Sequence, residues 1–291
     1  MRLRSIPALL RVGQWTKNGF IVLPAFFAGA ILHTEVLVQL ILGFIIYSIA
    51  ASAIYIVNDL RDIEVDRLHP RKRNRPIAAG LVKPGVALVI AILLGSGALA
   101  AAFVLDRDFG LIVAGYTGMN LMYSLYLKRW AILDVMIIAF GFLLRLHAGG
   151  ILADVPISMW IELLTFLLAL FIALGKRRDD VLVATSTGSD LRRNIRGYNL
   201  EMLNASMALI ASVTVMTYIM YTVSPDGMER LGSRYLYYTS FFVLIGMLRY
   251  LQLALVKHRT GSPTRLVYED WPLQVIILAW GASFALIIYA N

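Results

Sequence analysis

Runs of about 18 to 23 mostly apolar residues recur along this chain, the length of α-helix needed to cross a hydrocarbon core about 30 Å thick. Nine apolar stretches, the first somewhat shorter than the rest, alternate with polar breaks: 18–33, 36–57, 84–105, 109–127, 131–153, 157–175, 201–223, 235–256 and 271–290. A water-soluble chain of 291 residues does not carry that much apolar length, and 59% hydrophobic against 15% charged residues excludes a soluble domain with a tail. The expected fold is all-α: a polytopic membrane protein of nine transmembrane helices. No Gly/Ser linker or low-complexity tract interrupts it, so a single helical domain over 1–291 is expected. The two longest polar loops follow spans two and six, a spacing that hints at an old duplication of a four-helix unit. Cysteine is absent, which removes disulfide frameworks, thiolate metal sites and cysteine nucleophiles.

The first span is the shortest, anchored by Trp15 at headgroup level and by Lys17, whose stem can snorkel. Before it, Leu3, Ile6, Leu9 and Leu10 alternate with Arg2, Arg4 and Arg11, the pattern of an amphipathic helix on a membrane surface. The step Ala28-Gly29-Ala30 imitates a signal-peptide cleavage site, but eight spans follow and the first can itself direct insertion.

The formal charge of +9 is first a matter of topology. Of the 27 Lys and Arg, 22 lie before span one or in the segments 58–83, 128–129, 176–200 and 257–270, all on one side of the alternating spans. The other side has Arg107, Arg230 and Arg234, while Arg145 and Arg249 fall inside spans. The positive-inside rule then puts the N-terminus and both large polar loops in the cytoplasm, within the cytoplasmic (inner) membrane, and the C-terminus outside. Nucleic acid is not needed to explain the excess.

The most informative segment is Asn58-Asp59-Leu60-Arg61-Asp62-Ile63-Glu64-Val65-Asp66. If span two continues as a helix, Asn58, Asp59, Asp62 and Asp66 share one arc and Glu64 points elsewhere. Hard oxygen donors in this pattern suit Mg²⁺, which takes one or two carboxylates and completes its shell with phosphate oxygens. A diphosphate-bearing substrate is implied, the alternative being a solvated acidic loop paired with its own arginines. Directly after the acids come Arg67, Arg71, Lys72, Arg73 and Arg75, in a loop closed by Pro70, Pro76 and Gly80. Inside span five, Arg145 costs at least about 2.5 to 3.5 kcal/mol on insertion scales and so faces a polar cavity or a packing partner. Nearby His147 reads as a structural hydrogen-bonding residue, and Arg249 lies close enough to the end of span eight to snorkel.

Asn58-Asp59-x-x-Asp62-x-x-x-Asp66 resembles the first signature of the UbiA superfamily of intramembrane transferases. That resemblance implies nine transmembrane helices and an Mg²⁺-diphosphate at a cytoplasm-facing mouth. Gln14-Trp15-Thr16-Lys17-Asn18, the stretch from His69-Pro70 to Gly80, Arg145-x-x-Ala148-Gly149-Gly150, Gly175-Lys176-Arg177 and Leu248-Arg249-Tyr250 resemble more narrowly the superfamily's phosphoribosyltransferase branch. Members acting on aromatic acceptors usually carry a second spaced pair of aspartates. This chain has the adjacent pair of Lys176-Arg177-Arg178-Asp179-Asp180, whose members diverge by about 100° on a helix.

The resemblance implies catalytic roles for Asp59, Asp62, Asp66 and Asp180, with Asn58, Asp59, Asp62 and Asp66 around the Mg²⁺. Lys17, Asn58, Lys72, Arg73, Arg75, Tyr123, Lys128, Arg145, Lys176 and Arg177 would bind substrate. The implied partners are phosphoribosyl diphosphate and a polyprenyl phosphate. The alternatives are a prenyl diphosphate with an aromatic or other lipid-precursor acceptor, or, from another class, a transporter; a homo-oligomer is left open.

Overall fold

The computed structural model describes residues 6–68, 72–187, 197–225, 227–228, 234–258, 266 and 269–289. His69, Pro70 and Arg71 of the basic loop, Arg2, Leu3 and Arg4 of the N-terminal stretch, and Arg230 lie outside the described residues. Among those described there is no β-strand. Six helices are long and apolar enough to cross a membrane, and Trp271–Ile287 is a shorter apolar one. The chain is an integral membrane protein of helices.

We number the main helices α1 (Thr34–Arg61), α2 (Ile63–Leu68), α3 (Pro84–Leu105), α4 (Arg107–Leu125), α5 (Leu133–Ala153), α6 (Met159–Thr187), α7 (Leu200–Val223), α8 (Ser240–Leu255) and α9 (Trp271–Tyr289). The chain divides into two compact units, Met1–Ile137 with Leu144–Pro156, and Ile138–Leu143 with Ile157–Asn291. α4 has the length to cross a membrane but carries Arg107, Asp108, Tyr116, Asn120 and Tyr123, and does not reach the hydropathy of the six.

Two helices outrun the bilayer. The 28 residues of α1 span about 42 Å at 1.5 Å per residue, roughly two turns more than a hydrocarbon core. Its final turn, bearing Asn58 and Asp59, can therefore stand in the interface without breaking the helix. The 29-residue α6 likewise carries Lys176 to Asp180 as helix rather than loop.

In the first unit α1 packs on α3 and α4 through small side chains. Ala50, Ala51, Ala98 and Ala102 are buried with Tyr47, Phe109, Val113 and Tyr116, an alanine-rich contact that lets helix backbones approach closely. Val86, Val89, Ile92, Leu93 and Val104 of α3 stay exposed, as lipid-facing residues of a membrane helix do.

The segment expected as the first membrane helix is not one continuous α-helix. It runs as a 3₁₀-helix (Val12–Val22), a short α-helix (Leu23–Phe27) and a 3₁₀ turn (Ala30–Leu32). Pro24 at the start of the α-turn and Gly29 in the left-handed region (φ 72°) punctuate it. The preceding stretch is also not a surface helix throughout: Leu9 is buried with Ile56, Ile77 and Val82.

Gly149 on α5 permits one close approach. A Cβ there would lie 1.9 Å from the Ile21 carbonyl oxygen, a backbone atom that cannot swing away. Gly149→Ala should therefore destabilise the protein by about 1–3 kcal/mol or more, read as a lower aggregation temperature in detergent. Gly97→Ala on α3, where nothing lies within 4 Å, should leave that temperature unchanged or slightly higher.

In the second unit α6 packs on α7, and α8 on α7 and α9. Trp280 Nε1 donates to Tyr218 Oη (2.8 Å), which pairs with Thr239 Oγ1 at 2.7 Å. Arg249, placed by sequence at an interface, forms a bidentate pair with Asp270: Nε to Oδ1 3.1 Å and Nη2 to Oδ2 2.7 Å. Asp270 also accepts from the Leu273 N–H at 3.0 Å, capping α9. The guanidinium, helped by that N–H, holds the Asp270 carboxyl below the usual carboxylate range. Arg249 therefore staples α8 to the start of α9.

Candidate functional site

The acidic face forms at the end of α1 because the helix stops at Arg61 and restarts at Ile63. Asp62 sits in the break (φ −101°, ψ 13°), and the Asp66 N–H still donates to the Asp62 carbonyl at 2.8 Å, so the helical course is nearly kept. Asp59 and Asp66 are buried at 2% and 3% exposure, the Asp62 side chain is 27% exposed, and that of Glu64 is 83% exposed. Glu64 points away from the other acids, as the helical spacing predicts, and pairs with Arg67 at 3.0 Å.

Each of the three inward acids meets a cation. Arg75 Nη1 bridges Asp59 Oδ1 (3.0 Å) and Asp66 Oδ2 (2.5 Å). Arg11 makes a second ion pair with Asp59, and Lys128 Nζ lies 2.5 Å from Asp62 Oδ1. Ser124 Oγ donates to Asn58 Oδ1 at 3.4 Å. Burial pushes the Asp66 carboxyl up, and Arg75 pulls against that shift without cancelling it.

Arg75 is presented by a tight turn. The Ala79 N–H donates to the Arg75 carbonyl (2.8 Å), the Val82 N–H to that of Pro76 (3.1 Å), and Gly80 takes φ 74°, which suits glycine. Of the other basic-loop candidates, Lys72 is half-buried and Arg73 exposed.

A second polar group lies in the same unit, around Arg145. Its Nε donates to Asn18 Oδ1 (2.7 Å) and its Nη2 to Tyr116 Oη (3.0 Å), with the guanidinium 4.9 Å from the Tyr116 ring centre and 5.4 Å from that of Tyr47. Asn18 Nδ2 donates to Ser48 Oγ at 2.9 Å, and Trp15 Nε1 to Ser52 Oγ at 3.0 Å. Thus Trp15 and Asn18 of the N-terminal segment are fixed by two serines one turn apart on α1. The Tyr47 hydroxyl is buried and has no hydrogen-bond partner. Tyr123 on α4 is half-buried.

Lys17, next to Asn18, is half-buried, and no carboxylate among the described residues pairs with it. Burial first, then the nearby charges of Arg145 and Arg11, bring its ammonium down to about 8. It is protonated below that pH and neutral above it. If Lys17 holds a substrate anion, kcat/KM should fall through an apparent pKa near 8, approaching tenfold per pH unit above it. Lys17→Arg should move that limb out of range; a limb unchanged in this variant assigns it to another group.

In the second unit, Arg177 (2% exposed) donates to Asp180 Oδ2 at 2.7 Å, one turn along α6. Lys176 is half-buried beside them. The candidates therefore divide between the units: the acidic face and the Arg145 cluster belong to the first, and Lys176, Arg177 and Asp180 to the second. Sequence reasoning missed Arg11 and the tyrosines Tyr47, Tyr55 and Tyr116. Arg11 looked like part of an amphipathic surface yet stacks over Tyr55 (5.0 Å) and pairs with Asp59. Tyrosines scattered through apolar spans carry no spacing signal to separate a cation partner from packing.

Among the described residues no three His, Cys, Asp or Glu converge as a ready metal cage. The donors present are hard oxygens beside cations able to take phosphate, so the residues fit a metal-diphosphate.

Acids and phosphate-type cations gathered at a helix end of a helical membrane protein suit an intramembrane transferase. The model of the UbiA prenyltransferase family matches residues 20–268, and this chain belongs to that family. It is 34% identical over 285 residues, covering 94% of this chain and 91% of the relative, to decaprenyl-phosphate phosphoribosyltransferase of Mycobacterium tuberculosis. The enzyme of that name from Mycolicibacterium smegmatis is 33% identical over 290 residues, covering 96% of this chain and 91% of the relative. In fold, the chain resembles a UbiA homolog from Archaeoglobus fulgidus bound to DMAPP and Mg²⁺ (TM-score 0.73, 19% identity, 99% of this chain and 100% of that one).

Proposed function

We propose that this transferase moves a 5-phosphoribosyl group from phosphoribosyl diphosphate to a polyprenyl phosphate such as decaprenyl phosphate. The observation that carries the reading is 34% identity, across more than nine-tenths of both chains, to a decaprenyl-phosphate phosphoribosyltransferase. The chemistry agrees with it. This reaction brings together a diphosphate, a 5-phosphate and a lipid phosphate, whereas prenyl transfer to an aromatic ring brings one diphosphate. More anion calls for more cation, and the chain carries Lys17, Lys72, Arg73, Arg75, Lys128, Arg145, Lys176 and Arg177.

In this reading Asn58, Asp59, Asp62 and Asp66 would hold a divalent cation, Mg²⁺, whose charge would offset that of the diphosphate leaving group. The chain's own groups do the rest. Arg75 keeps Asp59 and Asp66 together, and Lys128 and Lys72 take phosphate oxygens. Lys176 and Arg177 bind the donor, with Asp180 orienting Arg177. The C1–O bond to diphosphate breaks through an oxocarbenium-like state, and an oxygen of the lipid phosphate forms the new bond to C1. That phosphate is already an anion near neutral pH, so no strong general base is required.

The proposed topology has nine spans, with the N-terminus and the site facing the cytoplasm, the C-terminus outside, and the inner membrane as location. It rests on the one-sided distribution of Lys and Arg.

Membranes containing the protein are supplied with Mg²⁺ and either labelled phosphoribosyl diphosphate with polyprenyl phosphate, or labelled prenyl diphosphate with aromatic acceptors. Organic-phase label is expected from the first mixture only. Label from the second alone would replace this reading with prenyl transfer.

A further inference from the structure

Arg178 stands apart from its basic neighbours. It is 4% exposed, and its hydrogen-bond partners come from two other helices and the turn beyond α8. Nε donates to Asn204 Oδ1 on α7 at 2.7 Å, while Nη1 donates to the Ala254 carbonyl in the last turn of α8 at 2.6 Å and to His258 Nδ1 at 3.2 Å. A guanidinium only donates, so His258 Nδ1 is the acceptor. The Ala254 carbonyl is one of the orphans at a helix C-terminus, where the negative end of the dipole favours a cation. His258 has φ 51°, in the left-handed region that a non-glycine residue enters only when its surroundings hold it.

Arg177 and Arg178, adjacent in sequence, diverge by about 100° around α6. Arg177 pairs with Asp180, and Arg178 is sunk among α7 and α8 with its fork occupied. A buried fork with acceptors on several elements fixes the rotation of the helix that carries it, which a single ammonium cannot do.

We propose that Arg178 is a positioning residue for diphosphate binding. It clamps the charged end of α6 to α7 and to the turn after α8, and thereby sets the angle at which Lys176, Arg177 and Asp180 are presented. The proposal rests on the reading that those three residues contact the donor. Through His258, the turn that leaves α8 becomes part of the same device.

The test uses full-length protein in detergent with Mg²⁺ and inorganic diphosphate as the probe, titrated calorimetrically. Arg178→Met and His258→Leu should each weaken diphosphate binding about tenfold or more. The double variant should be little worse than Arg178→Met, because the contact that His258→Leu removes is already absent once Arg178 is gone. His258→Asn should bind like the parent, since asparagine tolerates the left-handed region and offers an amide oxygen to Arg178.

If Arg178→Met does not fold, Arg178→Lys takes its place, with the same expected loss. Binding within twofold of the parent in His258→Leu and in the folded Arg178 variant overturns the proposal, as does full additivity of the double variant. Diphosphate binding is read without turnover. A parent that binds diphosphate but makes no phosphoribosyl lipid therefore counts against the proposed reaction and leaves this test intact.

Discussion

Asp62→Ala is expected to lower transfer by about a thousandfold or more while leaving the folded protein almost as stable as before. Of the inward acids, Asp59 and Asp66 are buried beneath Arg75, and Asp59 also holds Arg11. Asp62 is paired with one flexible lysine, its side chain 27% exposed and that of Lys128 25% exposed. A half-exposed ion pair contributes about 0–1 kcal/mol to stability. Removing Asp62 therefore costs little folding energy, but in the proposed reaction it takes away the most exposed of the three carboxylates assigned to the metal-diphosphate. Losing one preorganised electrostatic group at a charge-developing centre typically costs about 10² to 10³ in rate; losing a metal ligand costs at least that. Initial rates at saturating Mg²⁺, together with a melting curve of the same preparation, test both halves. Turnover within tenfold of the parent would sink the metal-site assignment. Asp59→Ala is the contrasting variant: it leaves Arg11 and Arg75 facing a buried gap and should lose stability as well.

Arg145→Gln and Arg145→Lys are both expected to lose about a hundredfold in kcat/KM, equivalent to about 2.7 kcal/mol of transition-state stabilisation. The guanidinium bonds Asn18 and Tyr116 at once while lying near the faces of Tyr47 and Tyr116. Lysine keeps the charge but cannot make both bonds, and glutamine keeps neither charge nor fork. Failure of the lysine variant would assign the function to geometry, and full rescue by lysine would reduce Arg145 to a point charge. Because Asn18 links Arg145 to Ser48 on α1, Asn18→Ala should reproduce part of the loss, measured in the same assay.

Much of the architecture is legible in the sequence. The apolar runs located the membrane helices because a bilayer imposes one length on every crossing segment, and α3 matches its expected bounds of 84–105. The acidic face was legible because a helix repeats every 3.6 residues, so Glu64 could be separated from Asp59, Asp62 and Asp66. The broken first segment was not. Its hydropathy resembles that of a helix, and the 3₁₀ course follows from contacts with α1 and α5, such as Ile21 against Gly149.

Charges gave the same division. Positive-inside counting assigned most arginines to a side of the membrane but none to a partner, because orientation depends on number and pairing depends on position. By itself the sequence determined that this is a helical membrane protein with an acid-and-base segment suited to a metal-diphosphate. Only the tertiary structure decided that Arg75 bridges two buried aspartates, that Arg11 returns from the N-terminal segment to Asp59, and that Arg249 staples two helices. Those contacts join residues 9 to 48 positions apart. No local periodicity encodes such separations; they are fixed by which helices pack together.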